Sequence, residues 1–209
     1  MEDRSDDFGI TALAGGYFHQ AWWSRHPTSD ELLMFVRDEN PVPVIEQCVH
    51  DATLLAESPL TGEQLAALWT SATDGYHAVT AEGRDGRRWF QRMIEILTPK
   101  LDAAGVRVSA EGAQDFRPEV TEPVARVVRR FSIVTNFLGE PADEQFLRQA
   151  LEDLIRAGLP ELSLRFFLRF AVTHDAPIPK DFYAEIKRAS VPFGYGAFIV
   201  ERLEHLIID

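Results

Sequence analysis

The sequence predicts an all-α protein. Apolar residues recur at three- and four-residue spacing through most of the 209 residues, and N-cap signals stand ahead of several of those runs. The one short alternating piece is Val106-Arg107-Val108. About ten helices follow from this reading, arranged as an N-terminal helical bundle (residues 1–98), a linker (residues 99–117) and a C-terminal helical domain (residues 118–209) of unassigned role.

The first element is the aromatic stretch Gly15-Gly16-Tyr17-Phe18-His19-Gln20-Ala21-Trp22-Trp23. Leu13 and Tyr17 lie one helical turn apart, as do Ala14, Phe18 and Trp22, so two adjacent stripes carry rings. Each such ring buries about 150–250 Å², enough for this short segment to anchor a domain. His19 and Gln20 then read as polar groups between anchors, bonded to nearby backbone.

Thr28 and Glu31 form a capping box before Leu32, Phe35 and Val36, and Pro41 ends that helix near Asn40. Residues 44–57 are amphipathic, with Ile45, Cys48, Val49, Ala52 and Leu55 on one stripe. Thr61 and Gln64 open a further helix carrying Leu65, Leu68, Trp69 and Ala72, which Asp74-Gly75 breaks. After a polar, Gly-rich loop at 82–86, residues 87–97 resume helix with Trp89, Phe90, Met93, Ile94 and Leu97 inward.

Periodicity fails between Thr98 and Pro118, which marks the linker. Beyond it Val124, Val127, Val128, Phe131, Val134 and Leu138 trace a long stripe. Asp143 starts a helix that Gly158 closes, Pro160 and Pro179 suit the starts of two more, and a last helix is expected over 197–208.

Composition narrows the function classes. The net charge of −12 is uneven: residues 1–83 hold 14 acids against three bases, the remainder 19 against 18. Such a surplus repels nucleic acid and favours basic partners; it also serves solubility alone. The polar, acidic start lacks the character of a signal peptide, and no apolar run reaches the roughly 18 residues of a membrane span, so a cytoplasmic protein is expected. The single cysteine, Cys48, on an apolar stripe fits a reducing compartment and an inert thiol.

No catalytic constellation is visible. The six histidines form no His-x-x-x-His or Glu-x-x-His pair, no Gly-x-Ser-x-Gly elbow occurs, and Glu119/Glu122 and Asp143/Glu144 sit where helices begin. Gly194-Tyr195-Gly196 lacks the strand and third glycine of a dinucleotide fold. The expectation is no enzyme, no metal and no cofactor. Arg126 with Arg130, and Arg165 with Arg169, each line one helix face, read as solvated or as pairing with the acidic N-terminal half.

The Tyr17-Phe18-His19-Gln20-Ala21-Trp22 segment, followed by a helix beginning Thr28-Ser29-Asp30-Glu31-Leu32-Leu33, resembles the small helical immunity proteins of contact-dependent growth inhibition (CDI) systems. The likeness continues through Asn40-Pro41, the helix from Val44, the helix over 61–73, Asp74-Gly75-Tyr76 and the Trp89-Phe90 helix. It covers residues 8–98 and nothing from about residue 100 onward. The family pattern has an acidic residue where this chain has Ala21, so the role of that carboxylate is absent. The resemblance implies a bacterial immunity protein that occludes the active site or substrate groove of a cognate toxin domain. Tyr17, Phe18, His19, Gln20 and Trp22 are its motif residues, mainly structural. Charge then implies a basic toxin, such as one that cuts nucleic acid, and no direct nucleic-acid or membrane partner. The acids expected to meet it are Asp30, Asp38, Glu39, Glu46, Asp51, Asp74 and Glu82, all placed off the apolar stripes. The competing expectation is a helical adaptor without a toxin partner.

Overall fold

A computed structural model describes residues 7–109, 111–130, 132, 143–195 and 197–208. The fold is all-α, as the periodicity predicts: ten α-helices form among the described residues, beside one two-stranded pairing. The chain divides into two compact units, Phe8–Glu111 and Gly112–Asp209, the second including Met1–Asp7.

The first unit holds α1 (Gly9–Gly16), α2 (Ser29–Glu39), α3 (Val42–Glu57), α4 (Gly62–Ala72) and α5 (Gly86–Ala103). Both expected N-caps act, but the box at α2 forms only by half, without the return bond from the Thr28 amide to the Glu31 side chain. Thr28 accepts from the Glu31 amide at 3.2 Å, and at α4 the reciprocal box of Thr61 and Gln64 forms in full. α5 is the hub, packing against α2, α3 and α4. It buries Trp89, Phe90, Met93, Ile96, Leu97 and Leu101, a face wide enough for three neighbours.

α5 also supplies caps to those neighbours. The Arg87 guanidinium donates to the carbonyls of Ala56, Ser58 and Leu60, where α3 ends and the chain turns toward α4. Lys100 Nζ donates to the carbonyls of Arg37 (2.7 Å) and Asp38 (3.2 Å) at the end of α2. Cations at helix C-termini satisfy orphan carbonyls and meet the negative end of the dipole. Gly86 makes the close approach possible: a Cβ there would lie 2.2 Å from the Ala66 amide nitrogen.

Two boundaries differ from expectation. α1 stops at Gly16, and a turn with Ala21 in the left-handed region (φ 66°) carries Phe18 and Trp22 inward, in place of one continuous helix. α5 runs on past Pro99, which lies on its solvent side, to Ala103, and so takes in the start of the expected linker. Leu101 extends its buried face, and that packing outweighs the proline's helix-breaking preference.

The second unit comprises α6 (Pro118–Arg129), α7 (Glu144–Arg156), α8 (Pro160–Thr173), α9 (Lys180–Ser190) and α10 (Ala197–Glu201). A parallel pairing of β1 (Ile178–Pro179) with β2 (Ile207–Ile208) joins them. α6 packs on α7, α8 and α9. α8 is the most buried helix, with Phe166, Phe167 and Phe170 inside and Arg165 drawn in with them, so Arg165 is not part of a solvated face. Gly158 (φ +79°) ends α7 as predicted, and Phe116 lies across it. The last helix is shorter than expected: α10 gives way to a 3₁₀ turn at Glu204–Leu206 and then β2. Phe131, Val134 and Leu138 of the long stripe lie outside the described residues.

Candidate partner-binding surface

The motif segment builds the interior first. Phe18 is fully buried, with Trp69 at 5.1 Å, Trp89 at 5.7 Å, Trp22 at 5.5 Å and His77 at 4.8 Å between ring centroids. Edge-to-face and tilted contacts of this kind stabilise beyond the area they bury. Trp22 is fixed by its indole N–H, which donates to the Tyr76 carbonyl at 3.0 Å. Tyr17 is half-buried, its hydroxyl accepting from Asn40 Nδ2 at 2.8 Å. His19 and Gln20 are exposed and not set between the anchors, because the turn after α1 points them outward, while the expected bond to nearby backbone does form at His19. The His19 ring meets only the neighbouring Gln20 carbonyl, at 2.7 Å, among the described contacts.

His77 is the polar member of this ring cluster. Its Nδ1 accepts from the Trp69 indole, and its Nε2 lies 3.1 Å from Glu82 Oε1. Burial pushes the imidazole below its ordinary pKa, against the opposing pull of the Glu82 carboxylate. Glu82 also accepts from Ser29 Oγ at 2.8 Å and lies 3.4 Å from Arg84, so it ties the 3₁₀ turn Val79–Glu82 to the start of α2.

The seven expected partner acids separate into distinct roles. Asp51 is wholly buried, and its Oδ2 accepts from the Ile10 amide at 2.9 Å. It caps α1 from α3 because the N-cap residue, Phe8, has no polar side chain, and it cannot reach a partner. Asp30 bridges α2 to the α5 region through Arg84 (3.0 Å) and Arg92 (2.9 Å). Burial alone would raise its pKa, but the hydrogen bonds from Arg92 and Arg84 outweigh it and hold the carboxyl low. Glu82 is engaged as described, and Asp74 is half-buried in the left-handed turn after α4 (φ 55°). Asp38, Glu39 and Glu46 are exposed; Asp38 pairs with its neighbour Arg37 at 2.8 Å, which holds its carboxyl low.

The charge asymmetry also changes once units replace sequence halves. Arg84, Arg87, Arg88, Arg92, Lys100 and Arg107 belong with the first unit, which carries 14 acids against eight bases; the other carries 19 against 13. Both units are therefore equally acidic in net terms. Arg126 and Arg130 pair with α9 of their own unit, through Glu185 and Asp181.

What the acids of α2 share is their setting. Glu31, Met34, Phe35, Asp38 and Glu39 are all exposed and follow one helical stripe, while Leu32, Leu33 and Val36 are buried. Phe35, expected inside, is 42% exposed and Met34 40% exposed. Phe35 has the His26 ring 4.8 Å away. Val44, with Glu46 nearby in sequence at the start of α3, is exposed as well. This mixture of carboxylates with aromatic and thioether groups is unlike an ordinary solvated face, since interface cores are enriched in such rings and in Met. Sequence reading missed it because Phe35 adjoins Val36. The 31, 34, 35, 38, 39 spacing is a second stripe that a face-by-face reading recovers.

The second unit has a cavity of about 300 Å³ lined by Phe167, Ala171, Ile178, Phe182 and Ile208, with Arg130 and Ser132 as polar groups. Arg130 spends its charge on Asp181 and Glu185 and stacks 4.4 Å over Phe182. Among the described residues no three His, Cys, Asp or Glu side chains converge as metal ligands would, and no helix is long and apolar enough to cross a membrane.

Fold and surface together define an all-α protein with a mixed acidic and apolar face on α2. Comparison with family models, curated proteins and solved structures found no match.

Proposed function

We propose that this chain is an immunity protein that binds a cognate bacterial toxin domain in the cytoplasm and neutralises it by covering the active site or substrate groove. The observation that carries the reading is the outer stripe of α2, where Met34 and Phe35 stand between Glu31, Asp38 and Glu39. A basic toxin cleft, such as that of a nuclease, complements it: the carboxylates speed encounter and the apolar groups hold the complex. A stable complex of this type buries about 800 Å² per partner, more than α2 alone offers, so flanking residues from α3 contribute. The motif resemblance over residues 8–98 supports the same reading.

The test is co-expression with the toxin domain encoded by a neighbouring reading frame. The expected result is that cells expressing the toxin survive only when this chain is present, and that the two co-purify. Survival without co-purification, or no protection at all, overturns the proposal. Phe35→Ala should weaken protection while leaving the melting temperature near that of the parent.

A further inference from the structure

The acids of α2 differ in what answers their charge. Asp30 has Arg84 and Arg92, and Asp38 has Arg37. Lys100 reaches the end of the helix but donates to the backbone carbonyls of Arg37 and Asp38. Glu31 and Glu39 are exposed, and their carboxylates make no ion pair or hydrogen bond among the described residues. At Glu31 the backbone amide meets Thr28, while the side chain leaves the capping box half closed.

These two carboxylates flank one ring. Residues 31, 35 and 39 follow each other at four-residue spacing on α2, so Glu31 and Glu39 stand one turn to either side of Phe35, with Cβ atoms about 5–6 Å from its own. The His26 ring lies against Phe35 at 4.8 Å with the two planes 39° apart. That contact supports one part of the ring and leaves the rest, with Met34 beside it, to water.

A cation over an aromatic ring is drawn by the quadrupole, and a carboxylate at its edge adds a charge-assisted hydrogen bond. A guanidinium suits this ridge better than an ammonium. It is planar and lies flat on the ring, and its donors point outward in that plane, toward both neighbouring turns. An ammonium is a compact, strongly hydrated point charge without that fork.

We infer that Phe35, bracketed by Glu31 and Glu39, is a receptor for one arginine side chain of the partner protein. The inference rests on the proposed toxin for the identity of that protein, and it gives the two acids a second role. Besides steering the encounter, they hold the complex.

The chemistry can be tested without a toxin. The full chain is titrated with Nα-acetyl-arginine amide while the Phe35 ring resonances are followed by ¹H–¹³C NMR. Nα-acetyl-citrulline amide is the uncharged isostere and Nα-acetyl-lysine amide the point charge. The arginine compound should shift the ring resonances saturably in the millimolar range, the lysine compound should bind more weakly, and the citrulline compound should not bind. Glu31→Gln, Glu39→Gln and Phe35→Leu, the last followed through the Met34 methyl group, should each weaken arginine binding about twofold to fivefold. No saturable shift, equal binding of either control compound, or an unchanged affinity in the Glu31→Gln/Glu39→Gln chain overturns the receptor.

The same double variant separates the receptor from the immunity reading. Against a neutralised toxin it should dissociate faster than the parent. Slower association with unchanged dissociation means that the acids only steer, so the receptor fails and the immunity reading stands. Arginine binding without neutralisation of a toxin overturns the immunity reading and leaves the receptor.

Discussion

The Trp69 indole nitrogen donates to His77 Nδ1 at 2.7 Å, and this one bond decides the protonation of the only imidazole in the described core. An indole nitrogen can only donate, so Nδ1 must be an acceptor and the proton sits on Nε2, facing Glu82. The buried ring is neutral, and that neutrality has a price in acid.

The first prediction concerns pH. His77 has a folded-state pKa below the ordinary 6.5 because burial disfavours its charged form. The unfolded chain therefore takes up a proton before the folded one does. Stability from this group is fully present above pH 6.5 and is lost as pH falls from there through the folded value. Urea midpoints should decline between pH 7 and pH 5 in the parent and decline less in His77→Phe. An NMR titration of His77 with its midpoint above 6.5 would contradict this.

Gly86 gives a steric prediction. A methyl group there meets the Ala66 nitrogen at 2.2 Å and the Leu65 carbonyl carbon at 2.5 Å, both backbone atoms that cannot turn aside. Gly86→Ala should cost about 1–3 kcal/mol, the usual range for overpacking, read from chemical denaturation. Gly16→Ala, where nothing lies within 4 Å, is the control and should cost far less.

Arg87 tests the capping role of α5. Arg87→Met keeps much of the stem but strips donors from three carbonyls at the end of α3. Unsatisfied buried carbonyls cost about 1–3 kcal/mol, so the melting temperature should fall by several degrees. Hydrogen exchange should quicken at the C-terminal end of α3 more than in α1. Uniform quickening would show that Arg87 acts only through overall stability.

Asp51 and the pair Asp38 and Glu39 should separate stability from binding. Asp51→Ala removes the acceptor at the Ile10 amide and should destabilise by about 1–2 kcal/mol. Reversing Asp38 and Glu39 together should leave melting nearly unchanged, as exposed substitutions do, and slow association with a basic partner. An association rate flat between low and high salt would place the acids outside the encounter surface.

Much of the fold was legible because helices announce themselves locally. Thr28, Thr61, Asp143 and Gly158 each act as their position in the sequence suggests. The departures all come from information outside the local window. Helical spacing carried the first stripe through Phe18 and Trp22, yet Ala21 adopts a left-handed conformation because the two rings are held by Trp69, Trp89 and Tyr76, about 50 to 70 residues away in the chain. Asp51 sits beside buried Ala52, and only the folded chain reveals that α1 lacks a cap of its own. Pro99 looks like a stop signal until Leu101 finds its packing partners. For the candidate surface, the sequence identified Asp38, Glu39 and Glu46 as exposed acids; the aromatic component, Phe35, was hidden among residues that read as core.

The hub position of α5 bears on how the chain emerges from the ribosome. The buried faces of α2, α3 and α4 all meet α5, so each is translated well before its main partner exists. At about 5–20 residues per second, the nascent chain spends about 3–12 s between the end of α2 and Leu101 with those faces uncovered. Synthesis arrested in that interval leaves α1 to pack on α3 while the faces of α2, α3 and α4 that meet α5 stay uncovered. A stall shortly before α5 is therefore the point at which this chain is most exposed to aggregation and most dependent on chaperones.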